Sequence, residues 1–258
     1  MKKLDQIKGI ILDMDGVLWR EYQPLADLTK VFDWFNKRNW KSICLTNNST
    51  RSPDEYLKIM QDFGVKLEPW QILSSSGASL EYLKDNYSRG DSIFIVGENG
   101  LFGLISEAGF VTQYDQNFQN SPAAVVVGLD RELTYAKIAQ AADFIRKGAH
   151  FIATNPDKTF PAESGLMPGA GTCVTAVAAA AEQEPLILGK PESGIFLSAL
   201  KRMSLNPEQV LMVGDRLETD ILGAQRLGIK TAAVLSGVTD QKKLSEWEPA
   251  PDMIAEDI

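Results

Sequence analysis

The 258-residue chain is long enough for one large domain or two modest ones, because a domain typically contains about 100–200 residues. Apolar residues make up 44% of the chain and charged residues 23%, a composition that supports a packed core and argues against global disorder. The formal net charge of −8 disfavours nucleic acids and anionic membrane surfaces as partners, whereas a small anionic ligand can still bind at a local positive site.

Cys44 and Cys173 are the two cysteines, and each lies in an apolar or small-residue run outside any Cys-x-x-Cys pair. We interpret both as buried thiols in a reducing cytosol rather than as a disulfide. The basic N-terminus is followed by an apolar run that Asp13 and Asp15 interrupt, which makes a poor signal peptide. No apolar run approaches the ~20 residues of a membrane span. The sequence therefore predicts a soluble, cytoplasmic protein with no membrane partner.

Short β-rich apolar runs alternate with helical patterns along the whole chain. The predicted strands, in chain order, are 9–13, 41–46, 92–97, 123–129, 150–154, 186–189, 210–215 and 230–235. These runs are almost continuously hydrophobic, as is typical of strands buried on both faces. The alternation predicts an α/β fold with a Rossmann-like, doubly wound parallel sheet and helices on both faces.

The predicted helices begin at recognisable residues. In "SPDE", Ser52 suits the N-cap, Pro53 the first helical position and Glu55 the partner in a capping box. Pro191 in "GKPES" predicts a second helix start, and "GDRLETD" leads from a strand end into a helix that stops near Gly228. Further helices are expected near 99–108 and 134–147.

Polar residues follow several of the predicted strands at the point where each strand ends. They are Asp13 and Asp15 after the first strand, Thr46, Asn47 and Asn48 after the second, Lys190 before the "PESGIF" helix, and Asp215 with Asp220 after "VLMV". In a doubly wound sheet, ligands bind outside the carboxyl ends of the strands. We therefore expect these side chains to gather at one edge of the sheet.

Each of these groups alone has an ordinary interpretation as a turn, a helix cap or a surface residue. Four carboxylates together would repel one another and raise each other's pKa unless a cation lay among them, and Mg²⁺ is the natural ion for carboxylate and phosphate oxygens. The pattern predicts phosphoryl transfer, in which Asp13 attacks phosphorus and Asp15 exchanges the proton. Lys190, Thr46 and Asn47 would stabilise the transferring phosphoryl group.

The segments "LDMDGVLW", "TNNSTRSP", "GKP" and "VGDRLETD" resemble the four signature motifs of the haloacid dehalogenase superfamily, in the same order. "DMDGVLW" together with "TNNSTRSP" resembles specifically the NagD/para-nitrophenyl-phosphatase branch, class IIA. Members of that branch carry a large C2 cap domain between the second and third motifs. The match covers roughly residues 8–75 and 186–256.

The resemblance also implies roles for individual residues. It implies Asp13 as nucleophile and Asp15 as general acid/base. The residues that it implies for phosphate binding are Thr46, Asn47, Asn48 and Lys190. It further implies Mg²⁺ held by Asp13, the main-chain carbonyl of Asp15 and Asp215, with Asp220 either at the metal site or holding Lys190 or a water in place.

The spacing of the motifs predicts an inserted domain. Lys190 follows Thr46 by 144 positions, whereas a strand–helix–strand unit needs only about 30 residues. We place an α/β cap at 79–183, between core segments 1–78 and 184–258. A cap can exclude water during phosphoryl transfer, and a homodimer through it is a hypothesis that its size and exposed edges favour.

Two segments of the predicted cap, "TNPDKTFP" and "PGAGT", resemble cap segments of that branch. Their candidate substrate contacts are Asn155, Asp157 and Thr172. Each has an ordinary alternative, because Asn-Pro-Asp makes a good turn and Gly-x-Gly-Thr can simply start a helix. Outside these segments, Trp19 is interpreted either as a core residue or as part of the site entrance.

The leading hypothesis is a Mg²⁺-dependent phosphatase of small phosphorylated metabolites. Nucleotides, sugar phosphates and phosphoglycolate lie within the branch's range, and para-nitrophenyl phosphate is the expected artificial substrate. One alternative is a phosphomutase on the same core. Another is a non-catalytic phospho-aspartate switch, which the chain length and the cap disfavour. A dehalogenase is disfavoured because Asp15 and the metal-binding acids serve phosphate chemistry.

Overall fold

The computed structural model describes residues 5–113, 121–162 and 165–258. The strands are β1 Gly9–Asp13, β2 Trp19–Arg20, β3 Gln23–Pro24, β4 Lys41–Thr46, β5 Ile72–Ser74, β6 Ser92–Val96, β7 Val111–Gln113, β8 Ala124–Val127, β9 His150–Ala153, β10 Thr159–Ala162, β11 Gly165–Pro168, β12 Leu186–Ile187, β13 Val210–Gly214, β14 Lys230–Val234 and β15 Met253–Ala255. The α-helices are α1 Leu28–Lys37, α2 Pro53–Asp62, α3 Ser75–Asn86, α4 Asn99–Glu107, α5 Tyr135–Arg146, α6 Ala170–Ala181, α7 Ser193–Met203, α8 Leu222–Arg226 and α9 Gln241–Ser245.

The chain forms two compact units. The first unit consists of Met1–Thr46, Pro53–Leu73 and Lys190–Ile258, and the second of Asn47–Ser52 and Ser74–Gly189. The second unit therefore contains the predicted cap segment 79–183, together with the short loop that follows β4.

The first unit is built on a six-stranded sheet in the order β15-β14-β13-β1-β4-β5. The strands from β15 through β4 pair in parallel. β1 is buried along its whole length, which agrees with the continuous apolar run that predicted a strand covered on both faces. Beside β1, a large core cluster includes Leu12 and Cys44 from the sheet and Phe32 and Met60 from helices α1 and α2.

The second unit has its own five-stranded sheet in the order β12-β9-β8-β6-β7, with every adjacent pair parallel. One core cluster joins β6 and β8 to α5 and α6, and it includes Phe94, Phe144 and Cys173. Another joins the same strands to α3 and α4 through Leu83 and Ile105. Side chains therefore alternate between two helical layers along each strand. The antiparallel pair β10–β11 forms a separate hairpin.

The predicted α/β fold with parallel sheets flanked by helices is confirmed, and each of the eight predicted strands overlaps an observed one. The predicted helix start at Pro191 is wrong by two residues, because Glu192 is extended as the N-cap and α7 begins at Ser193. The helix predicted after Asp215 opens as a π-helical turn, Leu217–Ile221, and continues into α8. Several short strands lacked a sequence prediction, namely β2, β3, β5, β7, β10, β11 and β15.

Both cysteines are buried free thiols, as the sequence predicted. Burial raises the pKa of Cys44 far above its ordinary value and also raises that of Cys173. Among the described residues, none of the helices combines the length and the apolar character that a membrane crossing requires.

Candidate functional site

Strand pairing in the first unit places the acidic residues of the first and fourth motifs side by side. β1 pairs with β13 through Leu12 and Val213, so Asp13 and Asp215 both lie at the carboxyl edge of the sheet. β4 lies on the other side of β1 and ends at Thr46, one residue beyond the partner of Asp13. Asp13 and Asp215 are nevertheless buried, with 6% and 1% of their surface exposed.

The site contains three carboxylates and one ammonium. One carboxylate oxygen from each of Asp13, Asp215 and Asp220 lies within 4.8 Å of the others. Nζ of Lys190 lies 2.6 Å from Oδ1 of Asp13, to which it donates a hydrogen bond, and 2.7 Å from Oδ1 of Asp220. All four side chains are buried. With all three acids ionised, three negative charges would face one positive charge, an imbalance of −2.

Burial, together with the neighbouring charges, shifts the pKa values of Asp215, Asp220 and Lys190. Burial, reinforced by Asp13 and Asp220, raises the pKa of Asp215 to about 8. Burial and Asp13 raise the pKa of Asp220 to about 6, with Lys190 opposing the rise. Burial lowers the pKa of Lys190, but Asp13 and Asp220 together raise it more, so the lysine stays charged. The protein alone thus disfavours the ionised forms of Asp215 and Asp220.

The donor set fits a hard divalent cation. Oδ2 of Asp215 accepts a hydrogen bond of 2.7 Å from the main-chain N–H of Val238. Its Oδ1 is buried and accepts no hydrogen bond from any described residue. A buried carboxylate oxygen without a donor is costly, and Mg²⁺ prefers such oxygens as ligands. An ion bound by Asp215 and its two carboxylate neighbours would satisfy this oxygen and offset the surplus negative charge.

The loop after β1 packs closely against Asp215. Gly16 has a φ of +88°, and a Cβ at this position would lie 2.5 Å from Oδ2 of Asp215. Oγ of Ser236 donates a hydrogen bond of 2.7 Å to the carbonyl of Gly16. Only glycine meets both the left-handed conformation and the close approach. The sequence had shown the glycine, but the part played by residues 236–238 was missed because no motif marks them.

Asp220 reaches the site from the π-helical turn. Its Oδ2 accepts a hydrogen bond of 3.0 Å from the main-chain N–H of Arg216, while Oδ1 contacts Lys190. π-Turns are often found at functional sites because they displace a side chain from its helical position. The motif "GDRLETD" predicted the residue, whereas its spacing alone did not predict this turn.

Asp15 differs from the other acids because it is exposed. Its Oδ1 accepts a hydrogen bond of 2.8 Å from Nε1 of Trp19, a residue that is only 1% exposed. The burial identifies Trp19 as a core residue, one of the two interpretations that the sequence left open.

The loop after β4 is held within the second unit. Nδ2 of Asn47 donates a hydrogen bond of 3.1 Å to Oδ2 of Asp157. The carbonyl of Asn47 accepts two bonds of 2.6 Å, one from Oγ of Ser75 and one from Nδ2 of Asn155. Asn48 accepts from the main-chain N–H and the hydroxyl of Thr50. Ser75 was missed by sequence reasoning, because nothing marks one serine of "SSSG" as a partner of a loop 28 residues away.

The predicted cap residues thus have partners of their own. Asn155 and Asp157 both bond to Asn47, so the structure brings these three together. Thr172 is exposed, and its hydroxyl donates a hydrogen bond of 2.9 Å to the carbonyl of Lys158. The role of these residues as substrate contacts stays a prediction.

Comparison with known proteins finds a matching family and similar chains. A family model described as haloacid dehalogenase-like hydrolase matches residues 10–111, and a second, described as HAD-hydrolase-like, matches residues 187–258. The acid sugar phosphatase of Staphylococcus haemolyticus is 33% identical over 97% of this chain and 94% of its own.

Solved structures of similar proteins cover nearly the whole chain. The para-nitrophenyl phosphatase from Archaeoglobus fulgidus superposes with a TM-score of 0.89 at 29% identity, covering 97% of this chain and 96% of that one. The glycerol phosphate phosphatase from Mycobacterium tuberculosis, in complex with magnesium, superposes with a TM-score of 0.88 at 30% identity, covering 99% of this chain and 76% of that one.

Proposed function

Because this chain is a phosphatase of the haloacid dehalogenase-like hydrolases, in the branch of NagD and the para-nitrophenyl phosphatases, we propose that it hydrolyses small phosphate monoesters. The proposed reaction passes through an aspartyl-phosphate formed on Asp13, with Mg²⁺ as cofactor. Sugar phosphates are the first substrates to test, because the Staphylococcus haemolyticus relative is named an acid sugar phosphatase.

The observation that carries this proposal is the buried cluster of Asp13, Asp215, Asp220 and Lys190. Three carboxylates lie together, the ammonium of Lys190 contacts two of them, and a buried oxygen of Asp215 has no hydrogen-bond donor among the described residues. A cluster of this kind that bound nothing would destabilise the fold without any compensating interaction. A site that receives a divalent cation and an anionic phosphoryl group needs this surplus of negative charge beside a fixed positive charge.

Each residue of the cluster has a separate role in the proposed reaction. Asp13 attacks phosphorus, and the hydrogen bond that it accepts from Lys190 orients its carboxylate. Lys190, held from the other side by Asp220, also stabilises charge on the transferring group. Asp13, Asp215 and the main-chain carbonyl of Asp15 would hold Mg²⁺, with Asp220 close by, and the ion would supply positive charge that offsets the repulsion between nucleophile and phosphate.

Proton transfer falls to Asp15. It protonates the leaving alkoxide and then deprotonates the water that hydrolyses the aspartyl-phosphate. Its exposure suits this role, because a group that exchanges protons with substrate and water must reach both. Thr46, Asn47 and Asn48 are proposed to bind the phosphate oxygens through hydroxyl, amide and main-chain donors.

We propose that the second unit is the predicted cap and that it determines specificity for the leaving group. The limits 79 and 183 and a homodimer through this unit stay predictions. Asn155 donates a hydrogen bond to Asn47, and Asp157 accepts one from it. Both residues would therefore act by positioning the loop that carries Asn47.

The test is phosphate release from a panel of phosphorylated sugars, polyols and nucleotides, measured as kcat/KM with Mg²⁺ and with a chelator. Asp13→Asn should lower the rate by about 10⁴-fold or more, because the nucleophile is lost. Asp33→Asn, on an exposed position of α1, is the matched control and should retain full activity.

Three results would contradict the proposal. Wild-type turnover in Asp13→Asn would exclude the aspartyl-phosphate. An isomerised sugar phosphate without free phosphate would indicate the phosphomutase. A stable phosphoprotein formed from acetyl phosphate, without turnover, would indicate the switch.

A further inference from the structure

We propose that Trp19 is a positioning residue, whose indole N–H holds the carboxyl group of Asp15 in the orientation needed for proton transfer. This inference rests on the proposed function, because it assigns Asp15 the part of general acid/base. It adds a residue that lies outside the four motif acids and the lysine.

The hydrogen bond joins a fixed donor to an exposed acceptor. Nε1 of Trp19 lies 2.8 Å from Oδ1 of Asp15, a normal length for such a bond. Trp19 is 1% exposed and belongs to the large core cluster of the first unit, with its ring 5.8 Å from that of Phe63. The donor therefore has little freedom to move, whereas an exposed aspartate alone would populate several rotamers.

The main chain ties the same two residues together. The N–H of Gly16 donates a hydrogen bond of 2.7 Å to the carbonyl of Trp19, and Asp15 and Trp19 form an isolated β-bridge. The N–H of Leu18 donates to the carbonyl of Met14 at 2.9 Å, which closes the turn between them. The loop that carries Asp15 is thus anchored to Trp19 through both backbone and side chain.

Geometry matters for a general acid because the proton must pass over a distance of about 2.6–3.2 Å between heavy atoms. An indole N–H only donates, so Oδ1 of Asp15 acts as its acceptor and proton exchange falls to the other carboxyl oxygen. A buried indole N–H needs some partner. A main-chain carbonyl would meet that need, yet the partner here is the exposed carboxylate two residues after the nucleophile.

The experiment is a double-mutant cycle between Trp19→Phe and Asp15→Asn. The readout is kcat/KM for an alkyl phosphate, glycerol 3-phosphate, and for para-nitrophenyl phosphate, with Mg²⁺ present. This ratio reports the steps up to departure of the leaving group. An alkoxide needs a proton in order to leave, whereas para-nitrophenolate leaves readily without one.

With Asp15 present, Trp19→Phe should lower kcat/KM about tenfold for the alkyl phosphate, a fraction of the ~10²–10⁴ that general acid catalysis contributes. The loss on para-nitrophenyl phosphate should stay below about threefold. With Asn at position 15, Trp19→Phe should change either rate by less than about twofold, because the group that it orients is gone. Equal losses on both substrates and in both backgrounds would overturn the inference and leave the proposed function standing.

Two further variants separate the hydrogen bond from the packing. Phe63→Leu disturbs the ring contact of Trp19 while keeping its N–H, and it should lower kcat/KM for the alkyl phosphate by less than about twofold. Benzothienylalanine at position 19 keeps the ring shape and removes only the N–H, so it should reproduce the loss even if Trp19→Phe folds poorly. A benzothienylalanine protein with wild-type kcat/KM would contradict the inference.

The proposed function has its own separate outcome in the same cycle. Asp15→Asn alone should lower kcat/KM for the alkyl phosphate by about 10²-fold or more. Wild-type activity in that variant would remove the acid/base role of Asp15 itself, and the inference with it.

Discussion

The two units of this chain use the same kind of parallel sheet but treat buried charge in opposite ways. In the second unit, buried Asp130 contacts Nζ of Lys137 at 2.7 Å, and Glu98 contacts Arg131 at 2.6 Å. Each of these two acids has its own cation. In the first unit, three buried acids lie together beside a single lysine, and Lys190 forms ion pairs with two of them, Asp13 and Asp220.

The pKa values follow the same division. The hydrogen bond with Arg131 holds the pKa of Glu98 below its ordinary value despite partial burial. Burial raises the pKa of Asp215 to about 8, with Asp13 and Asp220 adding to the rise. Paired charges are compatible with a purely structural role. An unbalanced buried cluster costs stability, and it is retained where a cation has to bind.

The largest expected effect on stability comes from removing the cation of the first unit's cluster. Lys190→Met leaves three carboxylates facing one another, which should lower the free energy of unfolding by about 3–5 kcal/mol without metal and the activity by about 10²-fold or more. Lys137→Met is the matched variant in the second unit. It should lower the free energy of unfolding by only about 1–3 kcal/mol, because Asp130 keeps the hydrogen bond from the N–H of Glu132. It should leave kcat/KM unchanged.

Urea unfolding in the presence of a chelator, together with phosphate release in Mg²⁺, measures both quantities. Equal stability losses in the two lysine variants would show that the charge imbalance of the first unit has no measurable cost. The comparison between the units would then fail.

A second prediction removes one of the surplus negative charges. Asp215→Asn should raise the melting temperature in chelator, because it relieves repulsion with Asp13 and Asp220. It should also reduce the stabilisation by Mg²⁺, which in the wild type would add about 2.7 kcal/mol to the free energy of unfolding at a hundredfold excess over Kd. Asp130→Asn, in the second unit, should instead lower the melting temperature and leave the Mg²⁺ response unaltered.

The same variant gives the pH dependence a definite sign. A carboxyl whose pKa rises from 3.8 to about 8 on folding favours the folded state only while it is protonated. Its contribution is therefore complete below about pH 4 and is lost as the pH rises towards 8. In chelator, the advantage of Asp215→Asn over the wild type should grow across this interval. A difference in stability between the variant and the wild type that stays constant with pH would show that the pKa of Asp215 is not raised by folding.

The sheet edge that carries the cluster was predictable from the sequence for a simple physical reason. Parallel strands buried on both faces appear as continuous apolar runs, and their carboxyl ends share one edge. These runs end at Asp13, Thr46 and Gly214. The polar residues at and just after those ends were therefore expected to lie together. The same reasoning could not show how Lys190 divides its ammonium between two acids, because that depends on side-chain placement across 177 residues.

Other features depend on tertiary packing and leave no local pattern. The β2–β3 hairpin turns through Glu21 and Tyr22, both at positive φ, where glycine or asparagine is the usual choice. The bond from Trp19 to Asp15 requires the tryptophan to be buried beneath the loop, and the sequence alone left its burial undecided. The loop at 236–238 reaches Asp215 only because β13 and β14 are neighbours.

The smallest expected effect tests the balanced side of the comparison. Arg131 meets Glu98 with two parallel hydrogen bonds of 2.6 Å, yet its side chain is 65% exposed. A double-mutant cycle between Glu98→Gln and Arg131→Met should give a coupling of about 0.2–1 kcal/mol, towards the upper end because of the bidentate geometry. The coupling should fall as salt is raised to 1 M, while phosphate release stays at the wild-type rate. A coupling of several kcal/mol, or a loss of activity, would mean that charge in the second unit does more than neutralise its neighbour, and that the division between the two units is less sharp than their ion pairs suggest.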